Sequence, residues 1–96
     1  MRLNNFEIKS IKDIVKSFYV DANVCLFGSR VDDLKVGGDI DLYITINTQP
    51  HFLDKPRILA ALKKNLGEQK IDLIFSYPTK IKTLIDEEAS SKGILL

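Results

Sequence analysis

Cysteine occurs once in this chain of 96 residues, and tryptophan not at all. A lone Cys25 excludes an internal disulfide and cannot build a thiolate metal centre. It lies in an apolar stretch, so burial in the core is its expected fate. Histidine is equally scarce: His51, in a Pro-adjacent loop, reads as an exposed residue and not as a general base. Neither sign of charge dominates, because 14 Lys and Arg meet 13 Asp and Glu for a net charge of +1. That balance argues against a broad basic surface for nucleic acid. No apolar run is long enough to span a bilayer, and no signal-peptide pattern is present, so the expected location is cytoplasmic. There is no repeat, no low-complexity tract and no linker composition. One domain over residues 1–96 with a modest core is the expectation. The apolar share of 45% and charged share of 28% are those of an ordinary globular protein.

What is present alternates between helical and strand periods. Asn4-Asn5-Phe6-Glu7 can cap a first helix, with Ile8, Ile11, Ile14, Val15, Phe18 and Tyr19 on one stripe. Asn23–Phe27 reads as a first strand, residues 29–34 as a short helix, and residues 39–46 as a second strand. Asp54 is placed to cap a helix carrying Ile58, Leu59, Leu62 and Leu66, which Gly67 ends. Residues 70–76 form the third expected strand. Pro78-Thr79 then opens a last helix with Ile81, Leu84, Ile85 and Ala89, ending near Gly93. The predicted fold class is α/β (α+β): a small mixed sheet with helices mainly on one face and the other face open.

One constellation carries chemistry. The run Cys25-Leu26-Phe27-Gly28-Ser29 leads an apolar strand into a Gly-Ser turn, and Asp39-Ile40-Asp41 opens the next strand. Side chains alternate along a strand, so Asp39 and Asp41 project together while Ile40 and Leu42 face the other way. Two like charges side by side repel unless a cation sits between them, and hard divalent ions such as Mg²⁺ take carboxylate and phosphate oxygens. The Gly28-Ser29 turn can bring backbone N–H groups to phosphate oxygens, helped by a helix starting just after it. Each part also has a bland counterpart: an acidic pair at a strand edge, or a turn in which Ser29 merely caps a helix. Their conjunction points to a phosphate cradle facing a metal-binding pair.

This run resembles the signature of the nucleotidyltransferase superfamily that includes DNA polymerase beta-like enzymes. More narrowly, the chain resembles a minimal nucleotidyltransferase (MNT), the short type often paired with a HEPN-domain protein. The family pattern is Gly-Ser, a spacer, Asp-x-Asp and a third acidic residue on a later strand. Here nine residues separate Ser29 from Asp39, slightly fewer than in the commonest form, with the difference in the loop 34–38. The third carboxylate is Asp72, in Lys70-Ile71-Asp72-Leu73-Ile74-Phe75. The resemblance covers roughly residues 6 to 95.

It implies two Mg²⁺ ions held by Asp39, Asp41 and Asp72, with ATP as substrate and its β- and γ-phosphates on Gly28 and Ser29. Asp72 serves the ion nearer the attacking hydroxyl and helps deprotonate it, or is a ligand only. Arg30 is within possible reach of the triphosphate, although such an arginine is more often a surface residue. Tyr43 shares the carboxylate face by parity, with core or rim packing preferred to stacking on a base. Lys80, Lys82 and Asp86-Glu87-Glu88 read as a solvated helix surface. The resemblance further implies a HEPN-family partner and an antitoxin role, in which AMP passes to a partner tyrosine. Two alternatives stand beside it: an antitoxin acting by binding alone, and nucleotidyl transfer to a small molecule.

Overall fold

The computed structural model describes residues 3–28, 40–67 and 69–96. Among these, the order is α1 (Asn5–Phe18), β1 (Asn23–Phe27), β2 (Ile40–Thr45), α2 (Asp54–Leu66), β3 (Ile71–Ser76), α3 (Leu84–Lys92) and β4 (Ile94–Leu95). The strands form one mixed sheet in the order β3-β2-β1-β4. β1 pairs antiparallel with β2 and with β4, whereas β2 and β3 are parallel and joined through α2. A parallel pair needs such a crossover, because a tight turn only reverses the chain.

The period-2 pattern of the strands sorts their side chains onto two faces. Val24, Leu26, Ile40, Leu42, Ile44, Ile71 and Leu73 point to one side and pack against Ile11 and Val15 of α1 and Ile58 and Leu62 of α2. Ile11, Leu26, Ile40, Leu42, Ile44, Ile58 and Leu62 are completely or almost completely buried there. At about 25 cal/mol per Å² of apolar surface removed from water, this layer is the main source of stability. The opposite face carries Cys25, Phe27, Tyr43 and Ile74, which pack with Ala89 of α3. Cys25 is half-buried, and burial pushes its thiol up, as suits a core residue.

Helix ends follow local chemistry. The Asn4 side chain accepts the Glu7 N–H at 2.8 Å and Glu7 accepts the Asn4 N–H at 3.1 Å, completing the expected capping box. α2 ends at Gly67, whose φ of 85° is left-handed and suits glycine. Its start differs from expectation. Leu53 is the cap residue and Asp54 the first helical one, and the Asp54 carboxylate instead accepts the Tyr19 hydroxyl across the α1–α2 contact. Burial and this carboxylate push the Tyr19 hydroxyl up to about 12.

Three further expectations need correction. α3 begins at Leu84 and not beside Pro78, because residues 77–80 close a turn and Thr83 with Asp86 forms the capping box. The second face of the sheet is open only in part, since α3 covers the β1 side of it. β4 adds a fourth strand at the sheet edge, too short to register as a strand in the sequence. The expected helix over residues 29–34 lies outside the described residues.

Candidate active site

Asp41 and Asp72 stand side by side. The β2–β3 register pairs Asp41 with Asp72, and the β1–β2 register pairs Phe27 with Asp41. Both carboxylates occupy the face opposite the main core, because Ile40 and Leu42 flank Asp41, and Ile71 and Leu73 flank Asp72, on the buried side. Adjacent strands lie about 4.8 Å apart, so two in-register carboxylates on one face are close neighbours. Asp41 is half-buried and Asp72 exposed.

Gly28 completes the arrangement. It follows β1 directly and takes φ 77°, the left-handed region that favours glycine. A Cβ at this position would overlap the Asp41 carboxylate oxygen and come within 3.2 Å of its Cγ. The backbone of the turn therefore runs immediately against the carboxylate, and any larger residue would displace it. The sequence assigns Gly28 to phosphate binding through the backbone N–H groups of its turn. The structure adds that the missing side chain makes room for Asp41.

These residues line a cleft of roughly 450 Å³ together with Phe27, Lys55, Leu73, Ile74 and Ile85. Phe27 and Ile74 form an apolar floor, and Ile85 at the start of α3 forms a wall. That wall is fastened from behind. Asp86, only 2% exposed, accepts the Tyr43 hydroxyl at 2.8 Å, the Lys80 ammonium at 2.9 Å, and the Thr83 N–H and hydroxyl at 2.8 Å each. Burial disfavours the ionised Asp86. The four donors outweigh it and hold the carboxyl well below the usual carboxylate range. Burial likewise pushes the Tyr43 hydroxyl up.

The sequence reading is thus borne out for Tyr43, which packs in the core edge-on to Phe27 with ring centroids 6.4 Å apart. It is overturned for Lys80 and Asp86, which form an ion pair between a partly buried ammonium and a buried carboxylate and not a solvated surface. His51 is exposed, as expected, and stacks on Phe52. Lys55 and Ile85 were not anticipated at the cleft. No sequence signal marks either, since their placement depends on how α2 and α3 lie on the sheet.

Of the five expected site residues, Gly28, Asp41 and Asp72 converge on the cleft. Ser29 and Asp39, with Arg30, lie outside the described residues. Among the described residues no group of three His, Cys, Asp or Glu forms a metal-ligand cluster. The donor set of Asp41 and Asp72 nevertheless suits a hard divalent cation: both are oxygen ligands, held in register by backbone pairing, beside Gly28, which has no side chain. No helix among the described residues is long and apolar enough to cross a membrane.

The family model described as "Polymerase beta, Nucleotidyltransferase" matches residues 9–96. The chain belongs to this family. The match takes in all three cleft residues just described and every strand of the sheet. Nucleotidyl transfer is the family's general chemistry, which makes the chain a transferase by membership. The four-stranded mixed sheet with its helices is consistent with the nucleotidyltransferase fold. No curated protein matches the chain.

Proposed function

We propose that this nucleotidyltransferase moves AMP from ATP to a hydroxyl on a partner protein, a tyrosine of a HEPN-family toxin, and so acts as its antitoxin. The observation that carries the transfer reading is the in-register pair Asp41 and Asp72 beside Gly28, whose lack of a side chain makes room for Asp41. Asp39, Asp41 and Asp72 would hold two Mg²⁺ ions, which neutralise charge on the entering and leaving oxygens of an in-line displacement. The backbone N–H groups around Gly28 and Ser29 would bind the β- and γ-phosphates. The acceptor oxygen forms a bond to the α-phosphorus, and the bond from that phosphorus to the β-bridging oxygen breaks. Pyrophosphate leaves with the electron pair, and Asp72 takes the hydroxyl proton and passes it to solvent.

A macromolecular acceptor is supported by exposed apolar residues next to the cleft residue Ile85 in the chain. Ile81 and Leu84 are 86% and 82% exposed, and Ile85 is 47% exposed where it lines the cleft. Apolar side chains grouped in this way fit a protein contact. A folded partner also brings its own scaffold to place a hydroxyl in line with the α-phosphate.

Co-expression with a HEPN-family partner, followed by intact-mass measurement of that partner, tests the assignment. The expected result is a mass increase of one AMP moiety with wild type and none with Asp41→Asn. An unmodified but silenced partner would move the role to binding alone. An unmodified, active partner would leave transfer to a small molecule.

A further inference from the structure

We infer that Lys55 is a substrate-binding residue of the cleft and contacts the α-phosphate of the bound nucleotide. The inference rests on the proposed reading of the Gly28 turn as the β- and γ-phosphate site, and it names the group that meets the opposite end of the ligand.

Three charged side chains of the described residues line the cleft: Asp41, Asp72 and Lys55. Lys55 reaches it by an unusual route. It belongs to the first turn of α2, which packs through Ile58 and Leu62 on the far face of the sheet from the carboxylates. β3 is the outermost strand on this side. A side chain from α2 that lines a cleft with Asp72 and Ile74 must pass the open edge of β3. The cleft therefore runs in lateral order from Gly28, past Asp41 on β2 and Asp72 on β3, to Lys55.

Among the described residues no ion pair accounts for a lysine there. A cation in the first turn opposes the helix dipole. The ion pairs among the described residues are Lys9–Asp13 and Lys80–Asp86, and Lys55 takes part in neither. The residue is exposed and lines a space that, on the proposed reading, takes a polyanion. A lysine binds phosphate as a mobile point charge on a long stem, which suits a group reaching round a sheet edge. With the β- and γ-phosphates at Gly28 and the acceptor hydroxyl in line at Asp72, the α-phosphate is the phosphoryl group nearest Lys55, and its non-bridging oxygens, which stand off the line of attack, are the ones a lysine on a long stem meets.

The competing role is that of a counter-charge to Asp41 and Asp72. The two roles give different results in calorimetric titrations of ATP, AMP and pyrophosphate at saturating Mn²⁺, with wild type and Lys55→Gln compared. An α-phosphate contact predicts that Lys55→Gln weakens ATP and AMP about ten-fold and leaves pyrophosphate unchanged. A counter-charge predicts unchanged affinity for all three ligands, because metal already neutralises the carboxylates, and that result overturns the inference. Equal weakening of pyrophosphate also overturns it, by placing Lys55 on the other phosphates. Because Lys55 is exposed, the variant should melt with wild type, so lost binding cannot be lost folding. Wild type that binds none of the three removes the nucleotide-site reading and the Lys55 role with it. Wild-type binding with Lys55→Gln unaffected removes the Lys55 role alone.

Discussion

Asp41→Asn is expected to lower nucleotidyl transfer by roughly a thousand-fold or more while leaving the fold intact. The amide keeps the shape of the carboxylate and loses its charge, so metal binding and not packing is what changes. The core should not register the substitution, since Ile40 and Leu42 point away from it into the fully buried layer. Asp72→Asn should behave alike, since it keeps the side chain's shape at an exposed position. Labelled-nucleotide transfer measured beside circular dichroism melting separates the two effects. Wild-type turnover in either variant would contradict the assignment, and unfolding of Asp41→Asn would show that the carboxylate is structural.

Asp86 should show the reverse pattern, with stability lost first. Its carboxylate takes donors from Tyr43, Lys80 and Thr83 at one buried point and fastens α3 to the sheet. Asp86→Ala leaves the Tyr43 hydroxyl and the partly buried Lys80 ammonium without their acceptor. The expected cost is about 2–4 kcal/mol, read as a lower urea midpoint. The pH dependence has a definite sign. The folded-state carboxyl is held below its ordinary value of 3.8, so its contribution is complete above that pH. It is lost as the pH falls from there toward the lowered folded value. Wild type should therefore lose stability on that acid limb, and Asp86→Asn should lose less across the same range. A wild-type acid limb fully retained in Asp86→Asn would assign it to other carboxylates. The exposed Lys9–Asp13 pair is a poor source, because such surface pairs contribute little.

Much of this arrangement was legible in the sequence because it is local. The Asn4 and Glu7 box, the limits of β1, Gly67 as the end of α2 and the face of Asp41 all follow from spacing of a few residues. Alternation alone placed Ile40 and Leu42 in the core and Asp41 opposite them. The misses are non-local. Asp86 looked like part of a solvated acidic run because its partner Tyr43 is 43 residues away, and only the fold brings them together. Likewise Lys55 could not be placed in the cleft without knowing that β3 is the edge strand and α2 lies behind it. Pro78 misled the start of α3, since proline marks turns as readily as helix beginnings, whereas the Thr83 and Asp86 box marks the true one.

The central claim is that the cleft between Gly28 and Asp72 binds a nucleoside triphosphate through metal held by its carboxylates. Calorimetric titration of ATP into the protein, with Mg²⁺ or Mn²⁺ and then with EDTA, tests it most directly. Without a cation the triphosphate and the carboxylates repel each other, so binding should be detectable only when the metal is present. Equal affinity for ATP in EDTA would contradict the account.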